Sequence, residues 1–225
     1  MPIPITCVDN FYRYPDRIRE YALSLDYDFT GNNFPGKRTQ SLHLINEQFF
    51  HEFCNKLFSL FYDPILDKNL KWNCDTGFQK IYPNHPDYNN PLNSGWYHKD
   101  IPFVFAGVIY LNKDTNPNSG TTIGRLKEGD SLEENSWDAR DRFYSSEPDI
   151  SIEEYTKEIN DHNSMFEVTL PVSNVYNRLI VYNGDVWHKE SNFCVNEEFR
   201  LTQTFFVSSF DASSAPLDRI QNFNL

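Results

Sequence analysis

The feature that most constrains the fold is the pattern from Gly77 onwards, where short apolar runs alternate with Pro, Asn and Gly. Eight of these runs are candidate strands: 78–82, 95–100, 103–111, 120–125, 165–170, 178–182, 185–190 and 200–208. Short strands with turn signals between them are typical of a β-sandwich or barrel, and the number fits a jelly roll. We therefore expect a mainly β fold with flanking helices, whose jelly-roll core covers about residues 77–208.

Two helices are predicted before this core, within about residues 10–64. The first has Asn10 as its expected cap and continues over 16–25, and the second is capped by Asn46 and ends at Asp63-Pro64. Each carries an apolar stripe at helical spacing: Ile18, Tyr21, Ala22 and Leu25 in the first, and Phe49, Phe50, Phe53, Leu57, Leu60 and Phe61 in the second. We expect both stripes to pack on the outside of one sheet.

One acidic segment interrupts the strand pattern. Residues 125–162 contain 12 acidic and 5 basic side chains, a net charge of −7. Ser151 and Glu154 are spaced as a capping box, which predicts a short helix through about Ile159. We interpret the segment as an insertion within a single domain of residues 1–225. It is either a solvated face or a lid that selects uncharged or cationic substrates.

Charge and composition exclude several classes of protein. The formal charge of −12 argues against a protein that follows nucleic-acid phosphates, and no apolar run approaches the length of a membrane span. The amino-terminal residues lack the basic and apolar regions of a signal peptide. The cysteines have no C-x-x-C spacing: Cys7, Cys54, Cys74 and Cys194. A cytoplasmic protein with reduced thiols is expected, without nucleic-acid or membrane partners; its oligomeric state is left open.

Two H-x-D triplets are candidates for a metal site. His85-Pro86-Asp87 lies among prolines and asparagines, which predicts a loop whose side chains need not converge. His98-Lys99-Asp100 precedes a long apolar run instead. In extended backbone, residues i and i+2 face the same side, so His98 and Asp100 are expected to point into one cavity.

A mononuclear site of the 2-His-1-carboxylate type needs a second histidine. His162 lies in a polar stretch at a predicted helix end, and we expect it on the surface. His188 follows the tight turn predicted at 183–185 and lies within a strand. It is therefore the candidate ligand, with a buried structural histidine as the alternative.

Arg200 opens the last predicted strand, with Thr202 and Thr204 on the same face. An arginine that faces a barrel interior needs an anion, which is either a ligand carboxylate or a protein carboxylate. Glu197 and Glu198 are expected to point to solvent. Arg125 is the second candidate for the same role, or for a contact with substrate.

The order His98-x-Asp100, His188, Arg200-x-Thr202 resembles the non-haem Fe(II)/2-oxoglutarate-dependent dioxygenases. The flanking residues resemble the prolyl-hydroxylase-like branch of that superfamily: Ile109–Asp114, Ser119-Gly120 and Tyr82-Pro83. The resemblance covers about residues 77–207. The sequence departs from the usual pattern in having Thr121 after Gly120, in a longer interval between His188 and Arg200, and in the acidic insertion.

The resemblance implies a double-stranded β-helix of cupin type, with Fe(II) held by His98, Asp100 and His188. It implies that Arg200, helped by Thr202, binds the 5-carboxylate of 2-oxoglutarate. Tyr110 and Tyr82 match pocket tyrosines of the family.

The implied reaction consumes O2 and 2-oxoglutarate, hydroxylates a C–H bond of a peptidyl or small-molecule substrate, and releases succinate and CO2. Asp100 favours hydroxylation over halogenation. Two alternatives stay open: a cupin-like metal- or small-molecule-binding module without oxygenase activity, and an interaction protein with an aromatic surface.

Overall fold

The structure is a computed structural model that describes residues 3–29, 34–63, 67–132, 138–145 and 147–218. Its helices are α1 (Pro15–Leu23), α2 (Leu42–Ile45), α3 (Glu47–Ser59), α4 (Asp138–Tyr144) and α5 (Ile152–Ser164). Its strands are β1 (Thr6–Val8), β2 (Lys37–Arg38), β3 (Lys71–Ile81), β4 (Phe105–Tyr110), β5 (Thr121–Leu126), β6 (Phe166–Val172), β7 (Leu179–Asn183), β8 (His188–Glu190) and β9 (Arg200–Asp211).

The strands form two sheets whose pairings are all antiparallel. The larger sheet has the order β1-β7-β4-β9-β3-β2, and the smaller has the order β6-β5-β8. The fold is thus mainly antiparallel β with a few helices, as expected. No helix among the described ranges is long and apolar enough to cross a membrane.

Most predicted strands lie close to observed ones, with two kinds of error. The segment 95–100 is not a regular strand: it makes one isolated bridge, between His98 and His188. The strands β1 and β2 were not predicted, and β3 begins at Lys71, well before the predicted start. β1 and β2 are short strands at the two edges of the larger sheet, where they are held by their neighbours and carry little local signal.

The first helix begins at Pro15, and the predicted cap at Asn10 is wrong. Asn10 has a φ of 55°, outside the helical region, whereas Pro15 has the fixed φ that suits a first helical position. The cap at Asn46 is confirmed, because its side chain accepts the Phe49 N–H at 3.0 Å. The second predicted helix ends at Ser59, and the predicted stop at Pro64 lies outside the described residues.

The apolar stripes of these helices cover one face of the larger sheet, as expected. Phe53 is 1% exposed, and its ring centroid lies 5.6 Å from that of Phe205 on β9. Phe78 of β3 and Phe105 of β4 belong to the same apolar cluster. Alternation along β9 sends Phe205 to the helices and its neighbour Phe206 to the opposite face, towards the smaller sheet.

The acidic segment lies between β5 and β6 and contains α4 and α5. Its predicted cap is confirmed, because the Ser151 hydroxyl accepts the Glu154 N–H at 3.1 Å, although the helix continues to Ser164. Tyr155 of α5 is fully buried, and its hydroxyl accepts the indole N–H of Trp96 at 2.9 Å. The insertion therefore packs against the chain just before His98.

Candidate metal centre

A cavity of about 320 Å³ opens between the inner faces of the two sheets. Side chains of seven strands line it: Arg38, Asp75, Val108, Thr121, Tyr182, His188 and Thr204. The segment that carries His98 and Asp100 completes one wall. The predicted ligands and Arg200 thus line one space.

His98, Asp100 and His188 come together inside this cavity. Their ligand atoms all lie within 4.8 Å of one another. The Nε2 of His188 is 3.3 Å from Oδ2 of Asp100, and the Nε2 of His98 is 3.6 Å from Oδ1. Two ligands at right angles on one ion, each at about 2.1 Å, are separated by about 3 Å. Only small movements would bring all three onto one ion.

Backbone carbonyls set the orientation of both imidazoles. Nδ1 of His98 donates to the carbonyl of Trp96 at 2.8 Å, and Nδ1 of His188 donates to that of Val186 at 2.9 Å. Because a carbonyl can only accept, Nδ1 of each ring carries a proton, and Nε2 is the nitrogen of each ring that faces Asp100. Donation from the second ring nitrogen is the arrangement that orients metal-ligating histidines.

The electrostatics of the cluster favour an anionic carboxylate at its centre. Burial, followed by the charges of His188 and Arg140, lowers the pKa of His98 to about 4. Burial would raise the pKa of Asp100, but the two histidines and Arg38 lower it to about 2. Burial also opposes the charge on His188, whose pKa is nevertheless raised by Asp100. An ionised carboxylate therefore lies between two imidazoles at neutral pH.

Three backbone hydrogen bonds hold the ligands in register. The N–H of each histidine donates to the carbonyl of the other, at 2.9 and 3.0 Å, and the Asp100 N–H donates to the carbonyl of Gly184 at 2.8 Å. Gly184 belongs to the turn predicted at 183–185. A Cβ there would lie 1.9 Å from the carbonyl oxygen of Phe103, so only glycine allows this approach.

Arg200 is buried at 2% exposure in the same cavity. Its Nε donates to the carbonyl of Ser119 at 3.0 Å, and its guanidinium lies 5.5 Å from the ring centroid of Tyr110. Within the described part of the chain, its Nη2 and the adjacent Thr202 Oγ1 are buried without a hydrogen-bond partner. An unsatisfied buried donor costs at least about 1–3 kcal/mol, so an acceptor ligand is the natural occupant.

The two predicted tyrosines have different environments. Tyr110 is fully buried, and its hydroxyl hydrogen-bonds Thr121 Oγ1 at 2.7 Å. Burial raises its pKa to about 12, so it stays a neutral donor. Tyr82 is 47% exposed and packs its ring on Phe199, 5.5 Å between centroids, outside the cavity. It follows the last residue of β3, so the sheet no longer directs it inwards, and the structure does not bring it to the other predicted residues.

Arg125, the second candidate for binding an anion, does not line the cavity. Arg125 is largely exposed and forms an ion pair with Glu167. The expectation that Glu197 points only to solvent is wrong. Its carboxylate pairs with Arg19 at 2.6 Å and accepts the N–H groups of Lys113 and Asp114 at 2.7 and 3.0 Å.

The surface position expected for His162 is wrong. It is 3% exposed, its Nε2 donates to the carbonyl of Tyr97 at 2.7 Å, and its ring packs 4.6 Å from that of Trp96. Burial lowers its pKa to about 4. The spacing of Tyr155, Ile159 and His162 at i, i+4 and i+7 was a signal for this buried face.

The rival triplet forms a local turn, as expected for a loop. The Asp87 N–H donates to Nδ1 of His85 at 3.0 Å, and the Asp87 side chain accepts the N–H of Asn89. Sequence reasoning missed other charged groups that line the cavity: Arg38, Asp75, Arg140, Lys189 and Glu190. No local pattern distinguishes them, since they come from separate elements.

Comparison with protein-family models gives one match, over residues 95–203, to a family described as a family of unknown function (DUF6445). The matched segment contains His98, Asp100, His188, Arg200 and Thr202. No curated protein matches the chain.

Solved structures share the fold at low sequence identity. HygX from Streptomyces hygroscopicus, with nickel and 2-oxoglutarate bound, has a TM-score of 0.54 and 11% identity, over 90% of this chain and 82% of HygX. HygX with nickel, 2-oxoglutarate and hygromycin B bound has a TM-score of 0.50 and 12% identity, over the same shares. EvdO2 from Micromonospora carbonacea var. aurantiaca, complexed with 2-oxoglutarate, has a TM-score of 0.51 and 11% identity, over 96% of this chain and 91% of EvdO2. The chain is similar to these proteins in fold.

Proposed function

We propose that this protein is an Fe(II)- and 2-oxoglutarate-dependent oxygenase that hydroxylates a C–H bond and releases succinate and CO2. The observation that carries the proposal is one cavity that holds both a His-Asp-His cluster and a buried arginine with an unsatisfied donor. The fold shared with proteins solved with 2-oxoglutarate supports it. In this proposal, the two sheets form a double-stranded β-helix of jelly-roll type within a single domain, as in the prolyl-hydroxylase-like branch.

His98, Asp100 and His188 would hold the metal. Two neutral imidazoles and one carboxylate are the donor set of non-haem Fe(II) oxygenases, and they leave coordination positions open. Iron bound there would supply the site at which 2-oxoglutarate and O2 react. The chain contributes orientation through the Nδ1 hydrogen bonds to Trp96 and Val186.

Arg200 would bind the 5-carboxylate of 2-oxoglutarate through Nη2, with Thr202 Oγ1 as the second donor. The Nε hydrogen bond to Ser119 and the Tyr110 ring hold the guanidinium in place before any ligand arrives. The neutral Tyr110 hydroxyl, paired to Thr121 of the cavity lining, adds no competing negative charge beside Arg200. A dicarboxylate would satisfy both unpaired donors.

The alternative, a cupin-like module that binds metal or a small molecule without turnover, explains the histidine cluster equally well. A module that bound only metal would give no role to the unsatisfied donors of Arg200 and Thr202. The oxygenase accounts for both groups of residues, and its primary substrate would be a small molecule or a peptide.

Calorimetry and product analysis test the proposal together. The metal-free protein is titrated with Fe(II) without oxygen and then with 2-oxoglutarate, and succinate is measured after O2 is admitted. We expect 2-oxoglutarate to bind only to the metal-loaded protein, and Asp100→Ala to abolish metal binding and succinate release. Asp87→Ala, the matched change in the rival triplet, should leave both intact. Metal binding without any 2-oxoglutarate binding would establish the cupin-like alternative instead.

A further inference from the structure

A second arginine in the cavity has no role in the function proposed above. Arg38 lies on β2, the edge strand of the larger sheet, and its side chain lines the cavity with His98 and Asp100. Its Nε is buried without a hydrogen-bond partner in the described ranges, and no ion pair there involves it. Burial lowers its pKa to about 10, still far above neutrality, so the guanidinium remains charged.

Two aromatic rings define how Arg38 can bind a ligand. Its guanidinium carbon lies 3.9 Å from the ring centroid of Phe34 and 5.2 Å from that of Phe206. Cation–π contacts of this kind hold a guanidinium in place and occupy its faces. The N–H groups along the edge of the guanidinium can then donate hydrogen bonds to two oxygens of a carboxylate or phosphate.

The two guanidinium groups have different neighbours in the cavity. Arg200 donates to the carbonyl of Ser119 and lies near the Tyr110 ring, whereas Arg38 lies against the rings of Phe34 and Phe206. The Phe206 ring also packs against Phe103, 5.0 Å between centroids, next to the Asp100 segment. A co-substrate held by Arg200 would therefore leave Arg38 available to a second molecule.

Charges of both signs surround Arg38 in the cavity. The protein carries a formal charge of −12, yet the acidic insertion contributes Arg140, a cation, to this cavity. Asp75, Asp100 and Glu190 also line the cavity, and their charges oppose the effect of burial on the pKa of Arg38. In the described ranges none of the three forms an ion pair with Arg38, and Asp75 already accepts the hydroxyl of Ser41.

We propose that Arg38 anchors a carboxylate or phosphate of the primary substrate, which is an anionic small molecule held beside the metal. This inference rests on the proposed oxygenase function, because the bound anion is a substrate only if the protein is an enzyme. The anion site itself requires neither metal nor turnover. Arg38 is thus a specificity-determining residue, distinct from the co-substrate arginine.

Nuclear magnetic resonance of arginine side chains tests the proposal directly. The metal-free protein, labelled at arginine 15Nε, is titrated in separate arms with acetate and with inorganic phosphate, at constant ionic strength. We expect a saturable shift of the Arg38 Nε–H signal in at least one arm, and the stronger arm identifies the oxyanion. The signal of Arg125, which is exposed and paired with Glu167, is the internal control.

Two variants complete the experiment. Arg38→Gln should lose the saturable binding by at least about tenfold, and Arg38→Lys should retain part of it, while Arg125→Gln should behave as the wild type. Calorimetry of the metal-loaded protein should show 2-oxoglutarate affinity unchanged within about twofold in Arg38→Gln. An unmoved Arg38 signal, or anion binding that persists in Arg38→Gln, would overturn the proposal. A loss of 2-oxoglutarate affinity in Arg38→Gln would overturn it in another way, by assigning Arg38 to the co-substrate.

Discussion

Replacing Arg200 with Met separates co-substrate recognition from metal binding. The change removes the buried guanidinium and its Nη2 donor but keeps an unbranched side chain against Tyr110. Truncating one partner of a buried charge pair costs about 2–5 kcal/mol. At about 1.4 kcal/mol per factor of ten, the affinity for 2-oxoglutarate should fall by about 30- to 4,000-fold. Metal affinity should change little, because Arg200 does not belong to the His-Asp-His cluster.

The assay is calorimetric titration of the nickel-loaded variant with 2-oxoglutarate, preceded by titration with the metal alone. Arg125→Met serves as the matched control, since Arg125 is exposed and does not belong to the cavity lining. Thermal melting shows whether loss of the Arg200–Ser119 hydrogen bond destabilises the fold. If a folded Arg200→Met variant keeps 2-oxoglutarate affinity within fivefold of the wild type, the arginine is structural and the reasoning fails.

Three further perturbations follow from the fold. Phe53→Ala should lower the free energy of unfolding by about 3–5 kcal/mol because the ring is fully buried, and Leu44→Ala, at 68% exposed, should change it by less than about 0.5 kcal/mol in the same denaturant titration. Burial opposes the charge on Asp67, but its carboxylate accepts four hydrogen bonds from Ser213 and Ser214, and these lower its pKa. The stabilisation that this carboxylate provides is present above about pH 4 and is lost as the pH falls through the lowered pKa. Asp67→Asn should therefore be less stable than the wild type at pH 7, and its melting temperature should fall less as the pH is lowered. Gly184→Ala should weaken nickel binding, measured by calorimetry, because its Cβ would collide with the backbone of Phe103; unchanged affinity would contradict this.

Local patterns predicted the parts of the site that lie on one strand or one short segment. The two-residue period places Arg200, Thr202 and Thr204 on one face of β9, and the first and last of these line the cavity. The H-x-D context selected His98 over His85 because prolines mark the second segment as a loop. These conclusions needed only backbone geometry.

The incorrect and missing predictions concern residues whose position depends on tertiary packing. Tyr82 lies one residue beyond its strand, and nothing local marks that boundary. Arg38 comes from a strand of only two residues, so no sequence period predicts which way its side chain points. His162 is buried because the insertion folds back onto Trp96, a contact between residues more than sixty positions apart. Its polar neighbours in sequence suggested the opposite.

The reciprocal backbone bridge between His98 and His188 has a consequence for folding. It joins positions 90 residues apart, and the chain between them includes β4 to β7 and the whole acidic insertion. Closing a loop of that length has an entropic cost that grows only slowly with length but must be met before the histidines can act together. An ion that binds only the closed form would favour loop closure by mass action. Amide hydrogen exchange at these two histidines is therefore expected to slow when metal is added, well before any effect on the distant helix α3.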